Sequence, residues 1–167
     1  MKHVGCLHIF KSIPLLLCSF VSNAQILFVC DGNTGRSYMA NQIANYFLYY
    51  PSFSRGLHVK STMVETYAKE ALMEWNIDSP HTPQQISEAD IVAAEQVLTM
   101  TAKQLKTLKN QYPKYQKKIE MISVCAGFSP IDVVDPYGHD LSYYEKVRDQ
   151  IYKYEQVVSA NGWKCKR

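Results

Sequence analysis

Cys30 is followed by Asp31, Gly32, Asn33, Thr34 and Gly35, and then by Arg36 and Ser37. A thiol and a guanidinium thus stand at the two ends of a short polar segment. A thiolate is a strong nucleophile, and a guanidinium binds two oxygens of a tetrahedral dianion side by side, which a lysine does not match. Five intervening residues can curl so that backbone N–H groups point inward at such an anion, helped by the positive end of a following helix. Gly32 and Gly35 are expected to permit the backbone angles of that cradle. Ser37 is expected to donate its hydroxyl to the Cys30 thiolate. The chemistry this set implies is phosphoryl transfer onto sulfur. Such a transfer from an ester also needs an acid for the departing oxygen, and the source read from the sequence is Asp135 in Val133-Val134-Asp135-Pro136-Tyr137-Gly138. Pro136 restricts Asp135 to extended backbone, which suits a carboxylate held out on a loop. Having given up its proton, Asp135 can serve as base for the water that clears the phosphocysteine.

These residues need elements to hold them. Residues 26–30 form a continuous apolar run, as expected of a strand buried on both faces. The glycines break it, and residues 37–49 then carry Met39, Ile43, Ala44, Phe47 and Leu48 at helical spacing until Pro51. The alternation continues with a strand expected at 57–61, a helix at 64–75, a polar loop through His81, and a short helix at 88–94. A strand at 96–100, a helix at 102–112, a strand at 119–124, an irregular stretch at 127–140 and a helix at 142–160 complete it. Alternating strands and helices predict an α/β fold, with a parallel sheet covered by helices on both faces. Ligands of such sheets bind beyond the carboxyl ends of the strands, where the Cys30 loop falls.

The chain has 167 residues, the size of one domain, with a formal charge of +3. Apart from Lys114, Lys117 and Lys118 its cations are scattered, so no nucleic-acid-binding stripe is expected. Residues 1–24 carry Lys2 and Lys11, no acidic residue, an apolar run from Ile13 to Val21, and then Ser22, Asn23 and Ala24. This is a signal-peptide pattern, too short to span a bilayer as a mature helix, and it predicts export, with a cytoplasmic protein as the alternative. The remaining domain, 25–167, keeps Cys30, Cys125 and Cys165. That odd count argues against a disulfide framework, and no pair has the short spacing of a zinc site. Cys125 reads as a small buried hydrophobe. His81 reads as a satisfied loop histidine, Tyr143 and Tyr144 as ordinary helix residues, and Tyr46, Tyr49 and Tyr50 as packing. Tyr137 is either a platform for an aromatic substrate or a plain exposed tyrosine.

The loop Cys30-x-Gly32-Asn33-x-x-Arg36-Ser37, with a late Asp135-Pro136-Tyr137, resembles the low-molecular-weight protein tyrosine phosphatase family, and the likeness runs over roughly residues 25 to 160. Further echoes are Ser54-x-Gly56, Asn76-Ile77-Asp78 with His81 after it, and Val97-Leu98-Thr99-Met100-Thr101. The resemblance implies a flavodoxin-like three-layer fold with four parallel strands, no metal or other cofactor, and a phosphocysteine intermediate. It makes Cys30, Arg36 and Asp135 catalytic, and places Asp31, Gly32, Asn33, Thr34, Gly35, Ser37 and Tyr137 around the substrate, a phosphorylated protein or small phosphomonoester. Asn33 in such enzymes helps hold the loop's shape. Gly35 stands where many members carry a second cysteine, and Tyr38 where they carry proline. Thr34 resembles the bacterial branch that includes protein arginine phosphatases. The related arsenate reductases relay oxidation through two further cysteines, for which only Cys125 offers itself here. A non-catalytic phosphate or phosphopeptide binder is the reading outside enzymology.

Overall fold

In the computed structural model of the chain, residues 25–165 are described; the leader expected over 1–24 lies outside them. Four strands, β1 (Ile26–Cys30), β2 (Ser52–Gly56), β3 (Gln96–Thr99) and β4 (Ile119–Met121), form one parallel sheet in the order β2-β1-β3-β4. The helices are α1 (Arg36–Gln42), α2 (Thr66–Met73), α3 (Glu88–Ala93), α4 (Ala102–Gln111), α5 (Ile122–Cys125) and α6 (Leu141–Ala160). β1 is buried throughout, and its side chains alternate between two cores. Ile26, Phe28 and Cys30 face a core built with α1, α2 and α6, whereas Leu27 and Val29 face one built with Ile91 of α3 and Leu108 of α4. That alternation makes the fold three-layered, because a strand with apolar residues on both faces needs helices on both. Among the described residues no helix is long and apolar enough to cross a membrane.

The second strand is Ser52–Gly56 rather than 57–61. Its pairing with β1 runs from Ile26 opposite Ser52 to Cys30 opposite Gly56. The polar string Ser-Phe-Ser-Arg-Gly hides this strand from a reading by hydrophobicity, since its buried Ser54 serves the neighbouring loop instead of the core. Leu57 and His58 beyond it bond to the carbonyls of Cys30 and Asp31 and so leave the ladder. The fourth strand ends at Met121, and the apolar run that seemed to prolong it turns into α5. Short apolar runs bury equally well either way. The first helix stops at Gln42 and widens into a π-helical turn over Ile43–Phe47. Tyr46 and Tyr49, expected as packing, are exposed, while Tyr50 stacks on Trp163.

Cys125 is not a free thiol: it is joined to Cys165 in a disulfide that closes a 40-residue separation. The odd count concealed this pairing because Cys30 is the member set aside for chemistry, which leaves two. The bond pins the segment after α6, where Gly162 and Trp163 take positive φ and return the indole of Trp163 against Phe28. Cys165→Ser is therefore expected to lower stability by roughly 2–4 kcal/mol, read as a fall in urea midpoint; an unchanged midpoint would contradict a staple.

Glu155 of α6 is fully buried, and among the described residues its carboxylate oxygens have no hydrogen-bond partner. Burial pushes its carboxyl well above the usual carboxylate range. The core accepts the protonated form, so stability is greatest below the ordinary carboxylate range and is lost as pH rises through the raised folded value. Glu155→Gln is expected to flatten this decline over the window from the ordinary carboxylate range up to mildly alkaline pH. Parallel urea titrations of both proteins at the two ends of that window measure it, and equal slopes would refute the assignment.

Candidate active site

The segment between β1 and α1 folds into a loop around the Cys30 sulfur. Asn33 is its one residue with positive φ, at 58°, a conformation asparagine tolerates better than most. Its N–H points at Cys30 Sγ from 3.3 Å. The buried Asn33 side chain is satisfied at both ends. Its Nδ2 donates to Ser37 Oγ at 3.0 Å and Ser54 Oγ at 2.8 Å, and its Oδ1 accepts from the Gln84 N–H at 3.0 Å. His81 Nε2 lies 3.2 Å from the same oxygen. Burial lowers the pKa of His81, and the neutral ring donates Nε2–H to Asn33. His81 therefore supports the loop directly, beyond the satisfied-histidine role expected for it, and its ring lies 5.0 Å from that of buried Tyr38.

Ser37 Oγ lies 3.0 Å from Cys30 Sγ, as the sequence led us to expect. Because Asn33 donates to Ser37, the serine proton is left for an acceptor, Cys30 Sγ at 3.0 Å or Arg55 O at 3.4 Å. Neither Gly32 nor Gly35 has positive φ, and Gly35 takes φ −126° and ψ −92°, outside the helical and extended regions. Gly35 also supplies space, since a Cβ there would lie 2.9 Å from Glu65 Oε2. Gly56, at the end of β2, is held to glycine more firmly, because its Cβ would meet backbone, Asp31 O at 2.8 Å, and Val59 Cγ2 at 2.6 Å, where Gly35 faces only the end of a flexible side chain.

Arg36 is only 6% exposed, and its guanidinium turns back over the cleft. Nη1 donates to Val133 O at 3.1 Å, and Nη2 pairs with Asp135 Oδ2 at 2.7 Å and more distantly with Asp31 Oδ2 at 3.6 Å. Asp135 is far from Cys30 in sequence, yet this pair brings it to the loop. Its other oxygen accepts from the Tyr137 N–H at 3.3 Å. Asp31 is anchored by Gln104 Nε2 at 2.7 Å. Gln104 also accepts from the N–H groups of Met100 and Thr101 through Oε1, in a capping box with Thr101. The sequence placed a helix start at 102, but neither the capping box nor the reach of the Gln104 amide to Asp31 was read from it.

Cys30, Asp31, Gly32, Thr34, Gly35, Arg36, Asp135 and Tyr137 share one cleft of about 390 Å³, joined by His58, Lys60, Ser61 and Glu65. Tyr137 is 75% exposed at its mouth. Asn33 and Ser37 stand behind the loop, so they shape the site rather than touch what enters. Sequence reasoning missed Glu65, which accepts from Thr34 Oγ1 at 2.6 Å and from Tyr144 OH at 2.5 Å. Tyr144, read as an ordinary helix residue, is thereby tied to the site. A larger cleft, about 800 Å³ beside Glu95, Lys118 and Cys165, lies at the amino ends of the strands, away from this chemistry.

Replacing Asn33 removes four side-chain contacts and the residue that makes the turn. Asn33→Ala is expected to cost about 2–4 kcal/mol of stability. A loss of at least about tenfold in activity should follow from a loop out of place. Chemical denaturation and steady-state kinetics read the two effects.

The chain matches the family model of low molecular weight phosphotyrosine protein phosphatases over residues 25–159. It is 33% identical over 129 residues to the low molecular weight protein-tyrosine-phosphatase PtpB of Staphylococcus haemolyticus, covering 76% of this chain and 91% of that protein. It is 29% identical over 136 residues to the protein-arginine-phosphatase of Bacillus subtilis, covering 75% of this chain and 88% of the other. The crystal structure of the low molecular weight protein tyrosine phosphatase from T. tengcongensis superposes with a TM-score of 0.79 at 32% identity, over 83% of this chain and 99% of that one. The fold, the loop around Cys30 and these likenesses agree: the chain belongs to the low-molecular-weight protein tyrosine phosphatase family.

Proposed function

We propose that the protein hydrolyses phosphorylated protein side chains, phosphotyrosine foremost, with Cys30 as nucleophile, Arg36 as phosphate ligand and Asp135 as acid and then base. The observation that carries this reading is the convergence of three groups in one cleft. Cys30 Sγ is faced by the Ser37 hydroxyl and the Asn33 N–H, and Arg36 of the same loop is paired with Asp135. A phosphoryl group entering the loop competes with Asp135 for the Arg36 N–H groups, and so frees Asp135 to meet the leaving oxygen. In the first step the S–P bond forms as the P–O bond breaks, and the electron pair leaves on the substrate oxygen, which takes the proton of Asp135. In the second step Asp135 takes a proton from water, a new P–O bond forms, and the S–P bond releases its pair to sulfur, where the Ser37 hydroxyl stabilises it. Tyr137 at the cleft mouth supplies an aromatic face for the tyrosyl ring.

A second reading, hydrolysis of phosphoarginine, is favoured by the Thr34 hydroxyl, held by Glu65 at the cleft wall, and by the likeness to protein-arginine-phosphatases. Arsenate reduction has less support, because Cys125 is bonded to Cys165. Cys165 borders a cleft with Gln96, the partner of Ile26 at the far end of β1 from Cys30. We further propose export: residues 1–24 carry the leader pattern, and the disulfide fits an oxidising compartment.

Hydrolysis of p-nitrophenyl phosphate by the purified protein tests the main reading. Turnover is expected for wild type, abolished in Cys30→Ser, and lowered at least about a hundredfold in Asp135→Ala. A folded wild-type protein that binds phosphate without turning over would replace the phosphatase with a phosphate or phosphopeptide binder.

A further inference from the structure

Glu65 stands immediately before α2 and meets the loop three times. Its N–H donates to Thr34 O at 3.0 Å, its Oε1 accepts from Thr34 Oγ1 at 2.6 Å, and its Oε2 occupies the space a Gly35 side chain would need. Tyr144 OH donates to the same Oε2 at 2.5 Å. These contacts fix a carboxylate in the wall of the cleft that holds Cys30, Arg36, Asp135 and Tyr137. Both side-chain partners are neutral hydroxyls, and the Tyr144 hydroxyl is held protonated by burial and by Glu65 itself. Among the described residues no lysine or arginine pairs with Glu65.

An anion in that wall repels a phosphoryl dianion, against the attraction of Arg36 and Lys60 in the same cleft, and a substrate that brings a positive charge of its own relieves the repulsion. A carboxylate has about four acceptor positions, and the two hydroxyls leave the others open. A phenolic leaving group has neither charge nor N–H to offer them. A guanidino group has both, in the planar arrangement that carboxylates bind best.

We infer that Glu65 is a specificity-determining residue that raises this site's activity on phosphoarginine relative to phosphotyrosine, by accepting the guanidino N–H groups of the leaving arginine. The inference rests on the phosphatase reading above. In the transfer itself the S–P bond forms as the P–N bond breaks, and the electron pair leaves on the guanidino nitrogen, which takes the proton of Asp135. Glu65 exchanges no proton; it orients the group that departs.

The test compares kcat/KM of the full chain for one peptide sequence carrying phosphoarginine or, at the same position, phosphotyrosine. Wild type and Glu65→Gln are measured at low and high salt. Glutamine keeps the size, and the hydroxyl that faces its amide nitrogen can turn to accept, so the loop clamp survives while the charge is lost. The phosphoarginine-to-phosphotyrosine ratio is expected to fall at least about tenfold in Glu65→Gln. In wild type the ratio is expected to shrink with added salt. Equal losses on both peptides, or an unchanged ratio, would make Glu65 a loop clamp alone and overturn the inference. So would a wild-type protein active on phosphotyrosine and inert on phosphoarginine. Wild type inactive on both peptides and on p-nitrophenyl phosphate would instead defeat the phosphatase reading.

Discussion

The site depends on one buried side-chain amide. Asn33 occupies the left-handed turn of the loop and spends its donors on Ser37 and Ser54 and its acceptor on Gln84 and His81. A buried amide left unpaired is costly, so these bonds hold the loop, β2 and the 81–84 segment in one arrangement. The Asn33 donation then leaves the Ser37 proton for Cys30 Sγ, 3.0 Å away, or for Arg55 O at 3.4 Å. The thiol's setting is therefore decided by a residue that does not itself face the cleft.

Charge in the cleft is balanced around Arg36, which reaches Asp135 and, at longer range, Asp31. Asp31 is itself held by Gln104 from the start of α4. The third strand and its helix thereby take part in placing the loop of the first. Such pairing holds the guanidinium over the cleft on Val133 O and Asp135, so that on the proposed function an entering phosphoryl group exchanges one anion for another.

Behind the site, the body of the domain is closed by its two ends in sequence. β1 is the common wall of both cores, and the chain after α6 returns to it through Trp163 and the Cys125–Cys165 bond. The covalent staple lies at the amino ends of the strands and the chemistry at the carboxyl ends. Constraint and reactivity are thus separated by the length of the sheet.

The sequence by itself determined the α/β alternation and singled out Cys30, Arg36 and Asp135 as the groups for the proposed chemistry, because each is written in residue type and short-range spacing. Cys30 and Ser37 were legible together since both lie on one strand-turn-helix unit. What the tertiary structure alone decided are the partners that lie far apart in the chain: Gln104 on Asp31, His81 and Ser54 on Asn33, Glu65 and Tyr144 at Thr34, and Cys165 on Cys125. The polar second strand belongs with these, for Ser54 is buried to bond Asn33, and no hydrophobic pattern reports a residue whose burial is earned by a hydrogen bond. Local spacing encodes which groups can react; folding brings together the distant groups that orient them.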